Sequence, residues 1–90
     1  MRRLTIKDNI EEISERINLM TKLVARENHK NMAFDSITEV NDYSIIVAID
    51  YELSDGKQGT CQLRLTYIDF NRLELLYDLI NGVYNEMAIS

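Results

Sequence analysis

The 90-residue chain has no proline and no tryptophan, three glycines, one cysteine and one histidine. Each shortage removes a class of explanation. With proline absent and glycine confined to Gly56, Gly59 and Gly82, nothing reads as a linker, a repeat or a low-complexity tail, and a single compact domain over residues 1–90 is expected. Cys61 has no second cysteine to pair with, which fits a reducing compartment. Its alternation with Leu63 and Leu65 reads as a buried thiol. His29 has no cysteine or acid at ligand spacing, so no metal site is expected. Long apolar runs are missing too. Charges interrupt the opening MRRLTIKDNIEEI, which excludes a signal peptide or a membrane span and leaves the expectation of a soluble, cytoplasmic protein.

Positive charge is scarce. Ten Lys and Arg stand against fifteen Asp and Glu, for a net charge of −5. Residues 1–31 hold seven bases and five acids, and the remainder three bases and ten acids, so a balance of +2 is followed by one of −7. Such a chain lacks the dense cationic surface that neutralising phosphates requires, and direct nucleic-acid binding is not expected. A protein partner with a basic groove is the matching expectation.

Hydrophobic residues make up 46% of the chain, enough for a core, although a domain of this size is often stabilised by oligomerisation. Ile6, Ile10, Ile13, Ile17, Met20 and Val24 step by four and three, which predicts a helix with one apolar stripe, widened by Leu19 and Leu23. Thr5 or Asp8 supplies its cap, and it ends near Asn28 to Asn31. The period then falls to two. Met32 to Val40 reads as a weak strand, with Phe34 and Ile37 on opposite faces if it is regular. Asn41 and Asp42 suit a two-residue turn. Tyr43, Ile45, Val47, Ile49, Tyr51 and Leu53 alternate with Ser44, Ile46, Ala48, Asp50 and Glu52. After the SDGKQG turn, Cys61, Leu63, Leu65 and Tyr67 alternate with Thr60, Gln62, Arg64 and Thr66. A last helix begins with Asp69 as N-cap and carries Phe70, Leu73, Leu76, Tyr77, Ile80, Val83, Tyr84 and Met87 across about 140° of its circumference. The expected fold class is α+β: a two-layer αβββα domain, its three-stranded antiparallel meander covered on one face by both helices.

Chemistry-bearing motifs are lacking. No serine or threonine stands in a strand-to-helix elbow and no glycine-rich phosphate loop is present, so no catalytic residue and no cofactor is expected. The tyrosines at 43, 51, 67, 77 and 84 fall on apolar faces and read as core rather than as a base-stacking platform. Asp50, Glu52 and Arg64 share the outer sheet face as surface charges.

Two surfaces stand out. Leu75 and Leu79 lie on one shoulder of the last helix with Gly82 a turn further on, a pattern that lets another backbone approach, so this edge is the expected homo-oligomer interface. The second surface is acidic: Glu74 and Asp78 on the last helix, with Asp50, Glu52 and Asp55 from the sheet and its hairpin, facing a basic partner. In size, charge and element order the chain resembles phage or mobile-element proteins that inhibit a host nucleic-acid-handling enzyme, anti-CRISPR proteins among them. That resemblance implies a non-enzymatic protein–protein interaction module. The alternative is an oligomeric binder of a nucleotide or other small anion, with Arg64 or Arg72 as the anion contact.

Overall fold

The structure is a computed structural model that describes residues 9–89, with the side chains of Tyr67, Phe70, Ala88 and Ile89 excepted. The expectations for Thr5, Ile6 and Asp8, and for the burial of Tyr67 and Phe70, lie outside the described residues. The element order is α1 (Ile10–Glu27), β1 (Asn31–Val40), β2 (Ser44–Glu52), β3 (Gln58–Thr66), α2 (Tyr67–Asn71) and α3 (Leu73–Ile89). The strands form one antiparallel sheet in the order β1-β2-β3. Its apolar face meets α1 and α3, giving the two-layer α+β arrangement.

The 3.6-residue period of α1 places Ile13, Ile17, Met20 and Val24 in the core. Thr21 shares that buried stripe without cost because its hydroxyl donates to the Ile17 carbonyl at 2.7 Å. Leu23 is half-buried, but Leu19, expected to widen the stripe, is 58% exposed. The helix stops when His29 turns to a φ of 52° and the Lys30 amide donates back to the Ala25 carbonyl at 2.9 Å. This is a Schellman closure, with histidine in the left-handed position that glycine usually takes.

In β1 the apolar residues are spaced by two, three and three. Register shifts fall between Phe34 and Ser36 and between Ile37 and Glu39, where Asp35 and Thr38 are inserted. Met32, Phe34, Ile37 and Val40 consequently stand opposite Tyr51, Ile49, Val47 and Ile45. Phe34 and Ile37 therefore share the inner face, against the expectation for a regular strand, because each bulge resets the two-residue alternation. Ile45, Val47 and Ile49 of the central strand are almost fully buried, and across β3 they face Leu65, Leu63 and Cys61.

The β1–β2 connection is one residue longer than expected, with Asn41, Asp42 and Tyr43 between the strands. The Asn41 side-chain oxygen accepts from the amides of Tyr43 and Ser44 at 2.9 and 2.8 Å, an Asx turn. Tyr43 leaves the sheet here and is 82% exposed, not core. At the β2–β3 turn Gly56 adopts a φ of 91°, open to glycine at low cost. Asp55 accepts from the Lys57 amide at 3.0 Å.

The last helical segment is broken. Thr66, not Asp69, is the N-cap of α2. Its amide and hydroxyl donate to the Asp69 carboxylate at 2.7 and 2.9 Å, so Asp69 serves from the third helical position. Arg72 then adopts an extended conformation, φ −122° and ψ 104°, and α3 starts anew at Leu73.

Candidate interaction surface

Leu76 and Ile80 point straight into the core and are fully buried. Leu73, one turn before Leu76, was expected in the same stripe. It is instead 58% exposed, at the first position of α3, directly after the extended Arg72. Leu73 and Tyr77 form one wall of a groove of about 490 Å³, and Met20 and Leu23 of α1 form the other. Glu74 and Asp78 complete the lining from α3 and are both exposed. The groove thus joins nonpolar walls to an anionic rim. Leu19 lies one helical turn from Leu23, and Ile68 on α2, an element that touches both α1 and α3, is 61% exposed. Exposed large apolar residues are normal singly; of those here, Leu73 lines the groove itself.

The groove is held at one end by a polar clasp. The Tyr77 hydroxyl accepts from the Asn28 amide at 2.9 Å and donates to the Glu27 carboxylate at 3.0 Å. Asn28 also donates to the Val24 carbonyl at 3.0 Å. A turn further along α3, the Lys30 ammonium donates to the side-chain oxygens of Asn81 and Asn85 and sits 5.0 Å from the centre of the Tyr84 ring. The Tyr84 hydroxyl donates to the Glu52 carbonyl at 3.2 Å. Burial lowers the Lys30 pKa. Its partners are amide oxygens and a ring face, which disperse the charge without an opposing carboxylate. Met20 and Leu23 stand against Leu73, while Glu27, further along α1, meets Tyr77, further along α3, so α1 and α3 are parallel.

The acids expected to act together fall on separate surfaces. Glu74 and Asp78 belong to the helical layer. Asp50 and Glu52 project from the opposite face of the sheet, where Asp50 accepts from the Thr60 hydroxyl at 2.7 Å and Glu52 accepts from Asn31 at 3.3 Å. Asp55 is engaged in its own turn. A single acidic surface does not form, because the sheet separates its two halves. Of the expected shoulder, Leu75 is 37% exposed, whereas Leu79 packs half-buried against the core. A Cβ on Gly82 would meet nothing within 4 Å.

The anion contacts are likewise divided. Arg64 stands opposite Ile46 on the outer sheet face, and Arg72 sits at the break before α3 beside Leu73, Glu74 and Leu75. Cys61 is buried and donates weakly to the Ile49 carbonyl at 3.5 Å. Burial raises its pKa, a backbone hydrogen bond opposes that rise in part, and the Asp50 charge adds a smaller upward effect. Among the described residues no three His, Cys, Asp or Glu gather as metal ligands, and no helix is long and apolar enough to cross a membrane.

The sequence signal for the groove was the surplus of leucine at positions 19 and 73, both assigned to core stripes on periodicity. Comparison with known proteins yields no matching family model, no match among curated proteins and none among solved structures.

Proposed function

We propose that this protein is a non-enzymatic protein–protein interaction module that receives its partner in the groove between α1 and α3. The observation that carries this reading is the apolar groove itself, walled by Met20, Leu23, Leu73 and Tyr77 and rimmed by Glu74 and Asp78. A partner would fill it with aliphatic side chains while Lys or Arg meets the two carboxylates. Apolar contact supplies most of the affinity, and the rim charges select the partner and speed its approach. The outer sheet face is a weaker candidate, because its exposed side chains are polar or charged, Asp50, Thr60, Gln62 and Arg64 among them.

Site-specific photocrosslinking in cells tests the choice of surface. A photoreactive residue at position 73 is expected to give one discrete protein adduct, whether a foreign chain or another copy, and Leu19→Glu is expected to remove it. Adducts formed from position 62 on the outer sheet face, with none from position 73, would refute the proposal.

A further inference from the structure

Resting on the interaction reading above, we infer that the groove receives a second copy of this chain in an antiparallel, two-fold arrangement. Leu19, Lys22, Leu23 and Arg26 stand at i, i+3, i+4 and i+7 on α1 and share one outward face. Lys22 and Arg26 are exposed and lie together along one side of the apolar ridge made by Leu19 and Leu23, the side turned away from the core stripe. Beside that ridge lies the groove, with Leu73 and Tyr77 as its far wall and Glu74 and Asp78 as its rim. One continuous surface thus carries an apolar ridge with two cations and an apolar groove with two anions. A surface that is its own complement is what an isologous two-fold contact requires.

The direction of the helices fixes the pairing. Because α1 and α3 run parallel within the protomer, a two-fold axis across the groove lays the α1 ridge of the second copy antiparallel to α3. Arg26 of the second copy then faces Glu74, Lys22 of the second copy faces Asp78, and the two Leu23 side chains meet near the axis. This arrangement sets two cations of α1 against two anions of α3 between molecules whose net charge of −5 makes them repel as wholes. It also replaces Leu75, Leu79 and Gly82 as the contact, since Leu79 is already packed inside.

Charge exchange tests the pairing by analytical ultracentrifugation and native mass spectrometry. The wild-type chain is expected to be a dimer. Glu74→Lys with Asp78→Lys, and separately Lys22→Glu with Arg26→Glu, should each raise the dissociation constant by about tenfold or more, because like charges then meet across the interface. Mixing the two variants should restore a dimer containing one of each. A chain carrying all four exchanges should pair with itself, which guards against loss through misfolding, and far-UV circular dichroism verifies each fold. A wild-type chain that stays monomeric at its highest soluble concentration overturns the inference. So does a dimer indifferent to both exchanges, or variants that fail to pair when mixed. A monomer that still forms a position-73 adduct with a foreign protein would remove self-pairing alone, whereas a monomer without that adduct would remove the interaction reading as well.

Discussion

Gly59 and Gly82 show how differently one residue type can be used. A Cβ on Gly59 would lie 2.7 Å from the Tyr51 hydroxyl and 2.9 Å from its ring, so the tyrosine occupies the space that glycine leaves on the neighbouring strand. Gly59→Ala must push that ring aside and should cost about 1–2 kcal/mol, as overpacking does. Gly82 has open space around it within a helix, so Gly82→Ala should stabilise by about 0.5–1 kcal/mol through helix propensity. Urea denaturation of both variants checks the opposite signs. An unchanged dimer constant in Gly82→Ala would further separate the groove from the Leu75 shoulder. Cys61 makes a pH-dependent contribution. Its thiol pKa is raised in the folded protein, so in the alkaline range the folded state holds the proton that the unfolded chain releases. That contribution to stability is complete below the unfolded thiol pKa and is lost as pH rises through the folded one. Stability measured across the alkaline range should therefore fall less steeply in Cys61→Ala than in the wild type, and iodoacetamide should modify Cys61 only on unfolding.

Among the elements, β1 departs most from a regular pattern, and its irregularity has a simple form. Without Asp35 and Thr38 the strand would read Met32, Ala33, Phe34, Ser36, Ile37, Glu39, Val40, with every second residue facing the core. Both inserted residues are exposed. Deleting the pair should keep the fold, since Met32, Phe34, Ile37 and Val40 retain their partners on β2. The loss should be about 1–2 kcal/mol, which includes the bond from the Thr38 hydroxyl to the Ile46 carbonyl. Inserting one alanine after Val47 instead moves half of the central strand to the wrong face and should abolish folding. Heteronuclear NMR spectra distinguish these outcomes: a dispersed spectrum for the insertion, or a collapsed one for the deletion, would contradict this account of the bulges. The break at Arg72 acts at the same scale, because it ends α2 early and starts α3 with Leu73 at the lip of the groove.

At the scale of the molecule, stability is a small difference between large opposing terms, about 5–15 kcal/mol for a domain. Pairing through the groove would link folding to concentration, since whatever binds only the folded chain shifts its unfolding equilibrium. The melting temperature should rise as protein concentration increases tenfold, and this rise should vanish in the Glu74→Lys, Asp78→Lys variant. It should also shrink at high salt, where the rim charges are screened. A melting temperature independent of concentration would contradict the link between pairing and stability.

Periodicity alone determined the element order, the antiparallel meander and the buried face of β2, because burial of one face imposes a repeat of two on strands and 3.6 on helices. It equally placed Ile13, Ile17, Val24, Leu76 and Ile80, which lie at the centres of their stripes, where no small change of angle exposes them. Stripe edges were decided by tertiary structure. Leu73 fits the apolar period as well as any core residue and Leu19 flanks its stripe, yet both are exposed, because only packed neighbours determine where a helix overhangs the interior. The acids at 50, 52, 55, 74 and 78 looked like one surface in sequence, and the sheet divides them because proximity along the chain does not specify which side of a layer a side chain occupies. The bulges of β1 share that origin: they follow from its pairing with β2, and long-range pairing exists only in the folded chain.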